Sequence, residues 1–248
     1  MTAPRAAALV VGSEVLSGKV ADENGPFLAR RLRELGVELV SIQVVPDRMD
    51  AIVEAIDLVR RRAAWIFTSG GVGPTHDDLT IAAVAKALGL PLRRDERMVA
   101  ALRAMHARHH PGEDLPEVAL RMAQLPEGTR LLGDPHFPTP VVENVVMLPG
   151  VPSFFRYQFE HVAPLLEGEP FHLVCLYLRP GEDRLAVALD LVARANPDVE
   201  IGSYPRFDDA DHRVRVTLEG RARVRVLAAA RAVLAALPAD ALVRAEGL

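Results

Sequence analysis

The chain opens with an apolar run, Ala6 to Val11, that Gly12 ends. A short segment apolar at every position predicts a strand buried on both faces. The period then changes. Phe27, Leu28, Leu32 and Leu35 recur at helical spacing, with Pro26 in the first turn and Gly36 as the stop. Val37 to Val45 contains a second strand, closed by Pro46. Met49, Ile52, Val53, Ile56 and Val59 mark a second helix, for which Asp47 stands as the N-cap. Trp65 to Thr68 is a third strand, followed by a glycine cluster and a helix from Leu79 to Leu88 that Gly89 stops. Asp95 opens a helix reaching His110. Val141 to Leu148 predicts one strand, and Ser153 to Leu166 a helix that Pro164 ends or kinks. Alternating strands and helices imply an α/β domain of three layers, a mainly parallel sheet covered on both faces.

The pattern shifts around Gly168-Glu169-Pro170. Phe171 to Leu178 predicts a strand, Glu182 to Ala195 a helix, Val199 to Phe207 and Arg213 to Leu218 a strand pair, and Val224 to Leu237 a last helix. That order makes a small α+β domain, so the expected division is residues 1–168 and 169–248.

Composition narrows the function classes. The net charge is −4, with 29 basic and 33 acidic residues. A general nucleic-acid binder needs a cationic excess to displace counterions, so none is expected. A small phosphate ligand needs only local positive potential. Cys175 is the single cysteine, which excludes an internal disulfide. No stretch approaches the roughly 20 apolar residues of a membrane helix, and the opening run does not read as a signal peptide. A cytoplasmic location follows as the expectation.

The strongest chemical signal is Ser69-Gly70-Gly71-Val72-Gly73-Pro74-Thr75-His76-Asp77-Asp78-Leu79-Thr80, between a strand and a helix. Three glycines in four residues allow a tight turn and close approach of a ligand. Free N–H groups and the next helix N-terminus suit an anion. Ser69, Thr75 and Thr80 add hydroxyls. Asp77 and Asp78 repel phosphate unless a divalent cation bridges carboxylate and phosphate; the alternative is a turn capped by one of them. Asp22 and Asn24 stand either for ligand contacts or for helix capping ahead of Pro26. Glu143-Asn144 favours an ordinary turn. His106, His109 and His110 have a chelating spacing but no clear further ligand, so a solvated helix end is the expectation. Arg60, Arg61 and Arg62 suit the C-terminal dipole of their helix.

The glycine stretch resembles the Gly-Gly-x-Gly-x-Thr-x-x-Asp-x-Thr signature of the molybdopterin-binding family, which includes MogA, MoaB, MoeA, a gephyrin domain and the N-terminal domain of CinA. It is most similar to the CinA version. Gly12-Ser13-Glu14-Val15-Leu16-Ser17-Gly18 continuing to Asp22 and Asn24, Val45-Pro46-Asp47, Glu143-Asn144, Leu148-Pro149-Gly150-Val151-Pro152-Ser153 and Gly202-Ser203-Tyr204-Pro205 also resemble CinA segments, in order. The resemblance implies a domain that binds molybdopterin or a nucleotide. It implies metal-dependent hydrolysis of a pyrophosphate such as ADP-ribose or FAD, with magnesium, manganese or cobalt. A binding module without turnover and molybdopterin adenylyl transfer are the alternatives. Carried over by position, Gly70, Gly71, Gly73 and Thr75 cradle phosphate, and Asp78 with Asp47 holds the metal or orients water. A homo-oligomer is expected. Two departures stand out. CinA proteins usually continue into an amidase domain; the sequence here runs to Leu248, so that activity is not expected. The stretch Gly133-Asp134-Pro135-His136-Phe137-Pro138-Thr139-Pro140 lacks the glycines that many relatives carry there.

Overall fold

Strand β1 (Arg5–Val11) is buried at six of its seven positions because it lies inside a sheet rather than at its edge. Successive side chains point to opposite faces. Ala7, Leu9 and Val11 enter one core, and Ala6 and Ala8 the other. The computed structural model describes residues 4–166, 168–206 and 211–248. The chain divides into two compact units, Met1–Gly168 and Glu169–Leu248.

In the first unit, β1 leads through the single turn α1 (Ser13–Leu16) to α2 (Asn24–Glu34), β2 (Glu38–Val45), α3 (Met49–Val59), β3 (Trp65–Ser69), α4 (Thr80–Leu88), β4 (Leu92–Arg94) and α5 (Glu96–His109). A 3-10 segment (Glu117–Ala123) precedes the short strands β5 (Gln124–Pro126) and β6 (Arg130–Leu132). Next come β7 (Thr139–Val142), β8 (Val145–Leu148) and α6 (Pro152–Val162). The main sheet has the order β2-β1-β3-β8-β7-β6. Its first four strands are parallel, and β7 and β6 join antiparallel. One face is covered by α3, α4 and α5 through Ile52, Ile56, Val84, Val99 and Leu102. The other is covered by α2 and α6 through Leu28, Leu32, Phe155 and Phe159. This is the three-layer α/β arrangement that the alternating pattern implies.

Two expectations are corrected, and a third, that Pro164 ends the helix after Ser153, holds. The apolar stretch 141–148 is not one strand. Glu143 adopts φ 48°, and the chain turns there to make the β7–β8 hairpin. The N-cap position of α3 belongs to Arg48, not Asp47. The helix after Ser153 stops at Val162, and Pro164 sits in a separate 3-10 turn, Ala163–Leu165, because its ring cannot continue the α-helix ladder.

The second unit has β9 (His172–Leu178), α7 (Glu182–Ala195), β10 (Glu200–Pro205), β11 (Val214–Gly220), α8 (Arg223–Ala235) and β12 (Leu242–Glu246). Its sheet, β10-β11-β9-β12, is antiparallel. Val174, Leu176, Leu178, Val214, Val216 and Leu218 form a core with α7 and α8. The expected strand end at Phe207 lies outside the described residues. Among the described residues no helix is long and apolar enough to cross a membrane.

Candidate functional site

Four parallel strands deliver their loops to one edge of the first sheet. Gly12 N donates to Val45 O at 3.0 Å, and Gly70 N to Leu148 O at 3.1 Å, so the loops after β1, β2, β3 and β8 start side by side. Open α/β sheets bind ligands at this carboxyl edge.

Within the Gly-rich loop, Gly70 and Gly71 have φ of 95° and 67°. A Cβ on Gly70 meets Val11 O at 2.3 Å, and one on Gly71 meets Thr80 Oγ1 at 2.3 Å. On Gly73 it meets Asp78 Oδ2 at 2.7 Å. Gly70 and Gly71 are required by the loop's own backbone before any ligand arrives, whereas at Gly73 only the Asp78 carboxylate stands in the way. The Thr80 hydroxyl donates to Gly70 O at 2.7 Å, and Thr80 N donates to Gly71 O at 2.9 Å. Thr80 is fully buried, so it braces the loop rather than offering a donor to solvent. Ser69 is also buried, and its Oγ accepts from Asn24 Nδ2 at 2.8 Å. Thr75 is the exposed hydroxyl of the three.

Asn24 sits at the junction. Its Nδ2 also donates to Gly150 O at 2.8 Å, tying the start of α2 to the loops after β3 and β8. Asp22 Oδ1 accepts from Asn24 N at 2.9 Å and Gly25 N at 3.1 Å. Asp22, one position before the N-cap Glu23, thus satisfies N–H groups of the first turn of α2.

Asp47 and Asp78 each commit one oxygen. Asp47 Oδ2 accepts from Ser13 N at 2.7 Å, while Asp47 N donates to Ser13 Oγ at 3.2 Å. Asp78 Oδ2 accepts from Thr75 N at 2.8 Å and from the Thr75 hydroxyl. Among the described residues, the remaining oxygen of each carboxylate accepts no hydrogen bond. β2 and β3 are separated by β1 alone. Their ends therefore lie roughly 10 Å apart, at about 4.8 Å per strand. Glu14 stands on the loop after β1, and its Oε1 is 2.5 Å from the place a Cβ on Gly12 would take. Sequence reasoning quoted Glu14 within a motif and gave it no role; its position next to a strand-ending glycine was the available signal.

These oxygens fit a hard divalent cation in kind, since such ions take carboxylate, phosphate and water oxygens. Three or more His, Cys, Asp or Glu side chains are nowhere gathered into a metal-holding group among the described residues. Any cation must therefore draw part of its shell from ligand and water, the usual habit of magnesium.

The other candidates lie apart or pair locally. Glu143 and Asn144 form the turn before β8, at the end of the sheet opposite Leu148. There Asn144 Nδ2 donates to Ala63 O at 3.1 Å. His106 and His110 stack at 4.8 Å, and His109 Nδ1 pairs with Met105 O, as suits a helix end. Arg60 pairs with Asp57 at 3.0 Å.

The stretch 133–140 is held firmly. Asp134 accepts from His136 N at 2.8 Å and Tyr157 OH at 2.9 Å, and these bonds keep its carboxyl below the usual range. The buried amide of Gln158 donates to Phe137 O and Pro138 O. This stretch walls an apolar cavity of about 60 Å³ beside the Gly-rich loop, lined also by Val72, Met98, Met105, Met122 and Met147. Sequence reasoning missed the cavity, because its lining comes from seven separate segments.

Comparison with known proteins agrees with this geometry. The family model described as probable molybdopterin binding domain matches residues 7–168, and the model described as FAD synthase, middle domain, matches residues 170–246. A protein of Aeropyrum pernix is 34% identical over 239 residues, covering 92% of this chain and 86% of its own. A CinA-like protein of Salinibacter ruber is 32% identical over 88% of this chain and 55% of its own, so the chain spans about half of that relative. The crystal structure of the protein CinA from Thermoplasma acidophilum aligns with a TM-score of 0.58 at 31% identity, over 66% of this chain and 98% of that one. By motif, fold and family match, the chain belongs to the molybdopterin-binding family, in its CinA-type branch.

Proposed function

We propose that the first unit is a divalent-metal-dependent hydrolase of nucleotide pyrophosphates, with ADP-ribose and FAD as the first substrates to test. The observation that carries this reading is the pair Asp47 and Asp78. They stand on loops either side of β1, each with one oxygen pinned by hydrogen bonds and the other open. Pinned carboxylates keep their place as charge develops, which is the requirement for electrostatic stabilisation.

The backbone of Gly70 to Thr75 cradles the pyrophosphate, and Glu14 stands on the loop after β1, the strand between β2 and β3. A bound cation neutralises phosphate charge and lowers the pKa of a coordinated water. The reaction adds a water oxygen to one phosphorus. The bridging oxygen departs with the bonding pair, and the water's proton passes to a carboxylate or to solvent. AMP is one product in either case.

Chromatographic assay of AMP release from ADP-ribose and FAD, with magnesium, manganese or cobalt, tests the reading. Wild type turns over with metal, and Asp78→Ala loses about 100-fold or more, the usual loss when a pre-placed charge-stabilising group is removed. Absence of turnover by the wild type with every metal overturns hydrolysis. That outcome leaves a module that binds a nucleotide or molybdopterin, or adenylyl transfer to the pterin.

A further inference from the structure

Four of the six methionines in the chain, Met98, Met105, Met122 and Met147, surround one cavity next to the Gly-rich loop. Val72, from the loop itself, and Pro149, from the loop after β8, complete that side. The cavity is thus continuous with the phosphate-binding edge and belongs to no step described above. At about 60 Å³ it is too small for an aromatic ring, given that an engineered cavity of about 150 Å³ is what admits benzene.

Its far wall changes that limit. Leu102, Met105 and Met122 line this cavity and also a groove of about 520 Å³ that runs past His106, His109, His110 and Pro74. Two of the three shared residues are methionines, whose unbranched side chains change rotamer readily. Swinging Met105 and Met122 aside joins cavity and groove into a space large enough for a fused ring system. Thioethers also make favourable contacts with aromatic edges. The opposite wall does not yield: Gln158 Nε2 fixes the carbonyls of Phe137 and Pro138 at 3.3 and 3.2 Å.

The geometry points to a ring-binding recess. The Met-lined cavity receives a fused aromatic ring with a carbocyclic edge, carried by the phosphate ester held on the Gly-rich loop, with Met105 and Met122 as its gate. This rests on the phosphate-site reading above and adds the part of the ligand that sets selectivity. Adenine suits the recess poorly, because its edges carry ring nitrogens and an amino group that lose hydrogen bonds in an apolar cavity. The dimethylbenzene edge of a flavin has no such groups to desolvate. The selectivity residues include His136, Phe137, Pro138 and Pro140, which line the cavity.

FAD and ADP-ribose share the ADP half, so their comparison isolates the ring. Calorimetric titration without metal, with inorganic pyrophosphate as a third probe, reads the difference. FAD binds at least tenfold more tightly than ADP-ribose, and its visible absorption band shifts and sharpens as the ring leaves water. Ala101→Leu, which fills the cavity from α5, brings FAD down to the affinity of ADP-ribose and leaves pyrophosphate binding unchanged. Should that variant not fold, the wild-type affinity ratio and flavin spectrum decide alone. Equal affinities, or an unshifted flavin spectrum, overturn the recess while the phosphate site stands. Failure of all three probes to bind, with magnesium present as well as without it, overturns both.

Discussion

At the scale of single residues, the site depends on bonds that brace loops to one another. Asn24 is the most exposed to test. Its one amide nitrogen holds Ser69 Oγ and Gly150 O, and it is itself buried. Asn24→Leu leaves Gly150 O without that donor and costs about 1–3 kcal/mol, the usual desolvation penalty for orphaned polar groups. Urea denaturation measures the cost; a change below a few tenths of a kcal/mol contradicts the bracing role. Gly71→Ala forces a side chain into φ 67° and against Thr80 Oγ1. The backbone strain alone is about 1–3 kcal/mol. Gly89→Ala shares the positive φ but points into open space. We expect Gly71→Ala to abolish pyrophosphate binding by the folded protein and Gly89→Ala to preserve it, in paired calorimetric titrations. Residue roles were legible in the sequence only where the partner was near in the chain. Asp22 and its cap partners are two and three positions apart, and capping was one of the two readings. Asp47 read as a cap because a helix follows it; its actual partner, Ser13, is 34 positions away. The glycine loop was visible because its motif is contained in twelve consecutive residues.

Elements follow the same logic of range and length. The long helices and the strands β1, β2 and β3 were legible because a period repeats over several turns or a run is apolar throughout. The short strands β4, β5 and β6 have three residues each, too few to establish a period. β12 is a half-exposed edge strand, so its pattern carries little apolar signal. The β7–β8 hairpin hid inside a run that is apolar except at Glu143-Asn144, because both arms are buried on both faces. Asp95 shows how an element end becomes testable. Its carboxylate caps α5 by accepting from Arg97 N and Met98 N, and Arg97 pairs with it at 2.6 Å. The Arg97 hydrogen bond, foremost, holds the Asp95 carboxyl below its usual range. A depressed carboxyl pKa stabilises the fold above the unfolded value, near pH 3.9, and that stability fades as pH falls through the folded value. Asp95→Ala should therefore cost about 1 kcal/mol at neutral pH. The gap between variant and wild type should narrow progressively below about pH 4. A gap that is constant from pH 7 to pH 2.5 in denaturant titrations assigns the cost to something other than the charge.

On the scale of the whole molecule, the chain holds separate cores. The first unit has one on each face of its sheet, and the second has its own between four antiparallel strands and two helices. All the site residues discussed lie between Gly12 and Gln158, within the first unit. The second unit, about 80 residues long, has an expected stability of about 4–12 kcal/mol at 0.05–0.15 kcal/mol per residue. Leu218 on β11 is fully buried in that core. Leu218→Ala removes about 2–5 kcal/mol, a large fraction of the total for so small a unit. At about 4–8 °C per kcal/mol for a domain of this size, its melting transition falls by at least about 8 °C. Calorimetry of the full chain should then resolve two transitions, with only one displaced by the substitution. ADP-ribose, by binding the folded first unit, should raise the transition that Leu218→Ala leaves in place. If both transitions move together in both experiments, the units unfold as one cooperative block, and separate cores do not make separate stabilities here. If each responds to its own perturbation, the nucleotide site can be engineered through Asn24, Asp78 and Ala101 without reference to the second core.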